Sequence, residues 1–439
     1  MGRVKIVVLD DDPTGSQTVH SCLLLTRWGV DTLSEALDDA SPLLFVLTNT
    51  RSMEAAHAEA VTREVCHNLR TALAARPDLH VILVSRSDST LRGHYPLETD
   101  VIGALLGPFD AHFLVPAFFE GGRITRDSVH YLVRDGREVP VHETEFARDS
   151  VFGYAHSYLP AYVEEKTGGR IPADRVERFL LADVRGDSLE RLLELRDNAC
   201  CVVDAERQSD LDRFCDQVRT AAARGKRFLF RSAASLLTSL ANLPPQPVPA
   251  EAMARYVRGG RPGVVIVGSH VPTTTAQLME LLAMPATTAI EVDVERLATE
   301  QHAVLASVLR EAEAAHQAGN TSVIFTTRAE KQFADQRERL AFGKTISSFF
   351  NALVQSLPAD LGFLITKGGI TSNDALSTGL ALTRCRVLGQ ILPGCSVVRC
   401  PVDHPRFPEL PVVIFPGNVG DRQSLAVAYA RLRNLPAPL

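Results

Sequence analysis

The chain has no run of about eighteen uninterrupted apolar residues, and a helix that crosses a bilayer needs about that many, so a membrane-spanning helix is excluded. It has no basic excess. With 46 Lys and Arg against 52 Asp and Glu, the formal net charge is −6, which argues against nucleic acid or an anionic membrane as the main partner. Cysteine is present without organisation. Cys22, Cys66, Cys200, Cys201, Cys215, Cys385, Cys395 and Cys400 form no C-x-x-C pair and meet no histidine cluster. Reduced core thiols are therefore expected, in place of a zinc site or disulfide framework. Repeats, low-complexity tracts and coiled-coil features are missing too, which leaves scaffold roles without support. An apolar run begins within four residues of Met1, leaving no room for a leader peptide, and a cytoplasmic protein is the expectation.

What the sequence does have is rhythm. Strand-like runs alternate with helix-length amphipathic segments, as in parallel α/β sheets, and 45% hydrophobic residues supply ample core. Val4 to Leu9, Leu43 to Leu47, His80 to Val84, His112 to Val115, Cys201 to Val203 and Phe228 to Phe230 read as strands of one sheet. A helix is expected from about Met53 to Ala75, capped by Ser52. The polar, histidine-dotted stretch Arg126 to Gly169 reads as an irregular insertion over the site. Leu243 to Pro249, with four prolines, blocks both helix and sheet and reads as a linker. Beyond it the rhythm restarts at Val264 to Val267, Ser322 to Phe325, Leu361 to Thr366 and Pro411 to Phe415. At 439 residues the chain exceeds what one core usually supports. The expected architecture is two α/β domains, each a mostly parallel sheet flanked by helices: 1–243, a linker at 244–262, and 263–439. The active site is expected in the cleft between them.

The first strand stops at Asp10-Asp11-Asp12-Pro13-Thr14-Gly15. Three consecutive carboxylates repel one another and cannot all be buried without cations, a metal or a hydroxylated ligand. The plainer reading is that Asp12 caps a following helix and the other two are solvated. Further strand ends are equally polar. Asp11 and Asp12, Arg51, Asp88 with Ser89, Thr90 and Arg92, then Gly122 and Arg123, would converge along one edge of a parallel sheet, where ligands gather. Carboxylates that accept hydroxyl protons beside guanidinium forks describe a site for a hydroxylated acid. Any one of these residues taken singly is more often a cap or a surface ion pair.

In the second half, Lys367-Gly368-Gly369-Ile370-Thr371 follows a strand and precedes the helix-like Ser372 to Leu382. Adjacent glycines let backbone N–H groups approach a phosphate at a helix N-terminus. Pro416-Gly417-Asn418-Val419-Gly420 is placed likewise, and Gly268-Ser269 supplies a third such turn. A glycine pair alone is usually only a tight turn; three in one domain favour nucleotide phosphate. Standard nucleotide motifs are absent. Gly343-Lys344-Thr345 imitates the end of a P-loop, but Glu338 stands where its first glycine should be, and no G-x-G-x-x-G occurs. A rival comes from Asp10-x-Asp12-x-Thr14, which looks like the haloacid dehalogenase phosphatase motif. That reading lacks a later strand-end acidic pair and leaves the glycine turns without work.

These residues together resemble the four-carbon acid sugar kinases, ATP-dependent kinases with a sugar-acid-binding N-terminal and a nucleotide-binding C-terminal domain. Asp11-Asp12-x-Thr14-Gly15 resembles the family's D-D-x-T-G, and Asp88-Ser89-Thr90-Leu91-Arg92-Gly93 matches its D-S-T-L-R-G without a break. Thr50-Arg51 and Pro116-Ala117 with Gly122-Arg123 follow in kind. Gly268-Ser269, Gly369 with Thr371, and Pro416-Gly417-Asn418-x-Gly420 resemble its nucleotide-site elements. The resemblance implies a small sugar acid at Asp11, Asp12, Arg51, Asp88, Ser89, Thr90, Arg92 and Arg123. It implies ATP, with Mg2+, at Ser269, Lys367 to Gly369, Thr371 and Pro416 to Gly420. Asp11, Asp12 or Asp88 would be the base, Arg51 or Arg92 would pair with the substrate carboxylate, and Lys367 would meet a phosphate. A homodimer is a family-level expectation, and no metal ligands are assigned. The chain departs from the family pattern at Ile370, Phe415, Thr18 and Arg86, with Asp374 a possible stand-in for an acid at 370. The departures at Ile370 and Phe415 also motivate a non-catalytic ligand sensor as an alternative.

Overall fold

The structure, a computed structural model, describes residues 3–134, 136–268, 271–328, 336–417 and 419–437. The chain divides into two compact units, Met1–Pro245 and Gln246–Leu439.

In the first unit, β1 (Val4–Asp10), β2 (Leu23–Leu25), β3 (Leu43–Leu47), β4 (His80–Arg86) and β5 (Ala111–Val115) are followed by β6 (Arg123–Arg126), β7 (Val129–Arg134) and β8 (Arg137–Pro140). The last strands are β9 (Glu177–Phe179), β10 (Ala199–Val203) and β11 (Phe228–Ser232). The main sheet runs in the order β2-β3-β1-β4-β11-β5-β10-β9, and every neighbouring pair is parallel. A sheet covered on both faces selects continuous apolar strands, and Leu43–Leu47 is buried at every position. Val7, Val46, Leu83 and Leu229 pack with helix residues Val65, Leu69 and Ile102 into one core.

The stretch expected to be irregular contains β7 and β8, which with β6 just before it form an antiparallel sheet. Ser52 is not the helix cap. The helix Ala55–Ala74 starts after Glu54, and the Ser52 hydroxyl donates to the Asn49 carbonyl at 2.8 Å. Nor does Asp12 cap a helix, since the next one begins at Val30.

In the second unit, β12 (Val264–Val267), β13 (Thr287–Val292), β14 (Thr321–Thr326), β15 (Leu364–Lys367), β16 (Arg384–Leu392), β17 (Cys395–Arg399) and β18 (Pro411–Phe415) run in the order β13-β14-β12-β15-β18-β17-β16. Pairs from β13 to β18 are parallel, while β17 runs antiparallel to both β18 and β16. The helix expected from Ser372 starts earlier, at Gly369–Asp374, and continues as a wider turn over Ala375–Gly379. Gly343 and Lys344 are exposed within the helix Gln336–Ser356.

Each sheet has a point where the chain crosses from one side of its first strand to the other. In the first unit β2 and β3 lie on one side of β1, with β3 beside it, and the chain then crosses to β4 on the other. In the second it runs from β12 to β13 and β14, then crosses to β15. Ligands of open α/β sheets collect at such switch points, outside the strands' carboxyl ends.

Candidate functional site

At the first switch point, Asp10 lies in register with Leu47 of β3 and Arg86 of β4. The strand ends are laced by backbone bonds: the Asp11 amide donates to the Arg86 carbonyl (3.3 Å) and the Arg51 amide to the Asp11 carbonyl (3.2 Å). Arg51, on the short turn Thr50–Ser52, sends Nε (3.2 Å) and Nη2 (2.5 Å) to the two oxygens of Asp11. Its Nη1 lies 3.6 Å from both Asp12 and Asp88. Ser87 donates to Asp11 at 2.7 Å. Asp12 accepts from the amide of Thr14 (2.8 Å) and from its hydroxyl, closing a local turn. Asp88 accepts from Arg92 Nε at 2.9 Å and from the hydroxyl of Thr90.

Burial alone would raise Asp12, but Arg51, Arg86 and the Thr14 bonds override it and hold the carboxyl below its usual range. Asp88 is likewise lowered: Arg51, Arg92 and Thr90 outweigh its burial. Asp10 goes the other way. Burial pushes it up to about 7 against the pull of Arg86, and its Oδ2 has no hydrogen-bond partner among the described residues. Gly15 closes over it, since a Cβ there would lie 1.9 Å from Oδ2.

Several supporting side chains escaped the sequence reading. Arg231, one residue past the predicted strand Phe228 to Phe230, donates to Glu98 (2.6 Å), Ser85 (2.7 Å) and Ser87 (2.7 Å), and Glu98 also accepts from Thr50 (2.6 Å). Three side chains from the 126–169 stretch hold three consecutive carbonyls of the D-S-T-L-R-G loop. His130 Nε2 meets Ser89 O (2.7 Å), Tyr154 meets Thr90 O (2.7 Å) and Tyr162 meets Leu91 O (2.8 Å). A small pocket beside the loop is lined by Ser87, Asp88, Arg92, Tyr162, Arg231 and Ser232, among others. Ser89 is buried; Arg123 stands at the start of β6 beside Phe146.

At the second switch point Val267, Lys367 and Phe415 are in register, so the turns after β12, β15 and β18 lie side by side. Gly268 is required by its neighbour: a Cβ there would lie 2.5 Å from Thr371 Oγ1. Gly368 has φ +118° and its amide donates to the Phe415 carbonyl at 2.9 Å. The turn after β18 is held by Thr274 on Gly417 O (3.3 Å) and by Gln277 on Val419 O (3.1 Å) and Asp421 O (2.8 Å). Gly420 sits there at φ +83°.

Lys367 does not reach outward. Its side chain is wholly buried, its Nζ donates to Pro416 O (2.6 Å) and Gly417 O (3.3 Å), and it lies 4.2 Å from the Phe415 ring centre. Burial lowers its pKa to about 7. Ile370 is 73% exposed, while Asp374 accepts a hydrogen bond from Ser347. Ser269 and Asn418 lie outside the described residues. Among the described residues, no group of three or more His, Cys, Asp or Glu is placed to hold a metal ion, and no helix is long and apolar enough to cross a membrane.

Fold and site together define a two-unit α/β protein with carboxylate–guanidinium strand ends in its first unit and glycine turns over adjacent strand ends in its second. Residues 6–240 match the family described as the sugar-binding N-terminal domain, and residues 264–425 the nucleotide-binding C-terminal domain. The chain belongs to the four-carbon acid sugar kinase family.

It is 30% identical over 194 residues to a D-threonate kinase of Bordetella bronchiseptica, covering 42% of this chain and 45% of that protein. It is 29% identical over 308 residues to a D-erythronate kinase of Heliobacterium modesticaldum, covering 66% and 63% respectively. The chain thus spans about half to just under two thirds of these curated relatives. A solved structure from Salmonella typhimurium LT2 shares the fold at 18% identity, TM-score 0.71, over 97% of this chain and 98% of that one. One from Haemophilus influenzae does so at 17% identity and TM-score 0.66, over 97% and 100%.

Proposed function

We propose that the protein is an ATP-dependent kinase that phosphorylates a hydroxyl of a small sugar acid of about four carbons. The observation that carries this reading is the chemistry of the two switch points: Asp11, Asp12 and Asp88 ranged around Arg51 at one, and three glycine turns side by side at the other. The relatives named D-threonate and D-erythronate kinase support the four-carbon size.

Phosphoryl transfer asks mainly for positioning and charge neutralisation, with a base near the accepting hydroxyl. Asp12 suits that role best, because 23% of its side chain is exposed against 1% for Asp11. Asp88, Ser89, Thr90 and Arg92 orient the acid. On the second unit, Ser269, the backbone N–H groups of Gly369 and Thr371, and the Pro416 to Gly420 turn receive the nucleotide, with Gly368 shaping the turn through its own bond to the Phe415 carbonyl. Lys367 serves the nucleotide indirectly, by holding the Pro416 and Gly417 carbonyls. Magnesium would arrive with ATP, held largely by phosphate oxygens and water, as this ion usually is.

The phosphatase alternative needs Asp10 as an attacking nucleophile, and Asp10 is fully buried beneath Gly15. The sensor alternative is separated by turnover. A coupled ADP-release assay against three- to six-carbon sugar acids should show acid-dependent ADP formation. Tight ATP binding with no turnover on any acid would favour the sensor, and phosphate release from sugar phosphates without ATP would favour the phosphatase.

A further inference from the structure

Five arginines gather at the strand ends of the first unit, and four are already matched to carboxylates. Arg51 is shared by Asp11, Asp12 and Asp88; Arg86 faces Asp10 and Asp11; Arg92 pairs with Asp88 and lies 3.7 Å from Asp149; Arg231 pairs with Glu98. Arg123 has no carboxylate partner among the described residues. Its Nη1 donates to the Gly121 carbonyl, and its Nε is buried without a hydrogen-bond partner among the described residues. A guanidinium carries five N–H donors in a rigid fork, so most of this fork is unspent.

Arg123 is also well placed. It follows the β5 end by way of the Phe118–Arg123 bridge, at the same sheet edge as Asp88. Its guanidinium and that of Arg92 lie against one ring, 6.0 and 5.0 Å from the Phe146 centroid. Burial disfavours its charge, and the Asp88 carboxylate is the largest favourable influence on it.

We propose that Arg123 is the receptor for the substrate's carboxylate and selects an acid over a neutral polyol. An anion at Arg51 would face three carboxylates already within 3.6 Å of that guanidinium, whereas one at Arg123 supplies the counter-charge the site lacks. A planar fork matches a carboxylate through two parallel bonds, which a lysine cannot reproduce. The inference rests on the kinase reading only in naming the acid as the molecule phosphorylated.

The test is steady-state kinetics of wild type, Arg123→Met and Arg123→Lys with a four-carbon sugar acid, the corresponding neutral tetritol, and ATP. Arg123→Met should raise KM for the acid about 10- to 100-fold, the range for losing a charged hydrogen-bond pair. It should leave KM for ATP unchanged and erase any preference for acid over tetritol; Arg123→Lys should recover part of the loss. An acid KM within twofold of wild type in Arg123→Met overturns the assignment. If Arg123→Met does not fold, Arg123→Lys decides: a severalfold rise supports the assignment and an unchanged KM overturns it. If wild type turns over no acid, the kinase reading fails separately, and calorimetric titration of the acid decides Arg123. Binding in wild type that is lost in the variant supports the receptor; equal binding, or none in wild type, overturns it.

Discussion

Replacing Arg51 by Met should destabilise the first unit by an amount that depends on pH in a defined direction. The guanidinium makes a two-pronged contact with Asp11 and lies 3.6 Å from Asp12 and Asp88. Removing one member of a buried ion pair costs about 3–5 kcal/mol, largely because the partner is left uncompensated. Arg51 retains 16% side-chain exposure, which places the loss near the lower end, at about 3 kcal/mol at pH 7.5. In the wild type, Asp12 and Asp88 titrate below the unfolded carboxylate value of about 3.9. Their contribution is therefore full above that value and is lost as pH falls through the lower folded values. Without Arg51 the same carboxyls titrate higher, and protonation relieves their repulsion as pH falls through the raised values. The gap between variant and wild type should therefore narrow from pH 7.5 to pH 5.0. Trp28, the single tryptophan, packs against the core of this unit, so urea unfolding followed by its fluorescence reads this unit. A loss under 1 kcal/mol at pH 7.5, or a gap that widens on acidification, would show that Arg51 does not compensate these carboxylates.

Gly15→Ala should cost about 1–3 kcal/mol on the same fluorescence readout, because its Cβ would fall 1.9 Å from the Asp10 carboxylate. Tyr154→Phe and Tyr162→Phe each leave a buried carbonyl of the D-S-T-L-R-G loop short of a donor, for a loss of about 1–2 kcal/mol apiece. Both should also raise KM for the acid while leaving KM for ATP unchanged. Lys367 has its folded pKa lowered to about 7, so the unfolded chain binds more protons above that pH and wild-type stability should rise towards pH 9. Lys367→Met should lose up to about 2.7 kcal/mol of that rise between pH 7 and 9, at about 1.36 kcal/mol per pH unit, by calorimetry.

The legible parts of this protein were those written locally. Buried parallel strands appear as apolar runs, and Val4 to Leu9, Leu43 to Leu47 and Pro411 to Phe415 show where the sheets lie. Their polar ends, Asp10 to Asp12 and Asp88 to Arg92, stand out because nothing in a strand core demands them. What stayed hidden depends on partners far along the chain. Arg231 and Glu98 are 133 residues apart, and neither is unusual until β11 comes to lie beside β4. The three carbonyl tethers come from a stretch whose polarity reads as loop, while its short antiparallel strands carry only brief alternation. β13 and β16 were missed because their mixed burial breaks the continuous apolar signal. Lys367 depends on distant partners in the same way: a lysine beside glycines suggests a phosphate contact, and only the fold shows the neighbouring strand bringing the Pro416 and Gly417 carbonyls within its reach.

Transfer of the ATP γ-phosphoryl group to a hydroxyl of a sugar acid can be followed by 31P NMR of the protein with Mg-ATP and a four-carbon sugar acid. ADP and a new phosphomonoester resonance coupled to a carbon-bound proton of the acid should grow at equal rates. ADP with inorganic phosphate alone, or an unchanged ATP spectrum across a panel of such acids, would rule the transfer out.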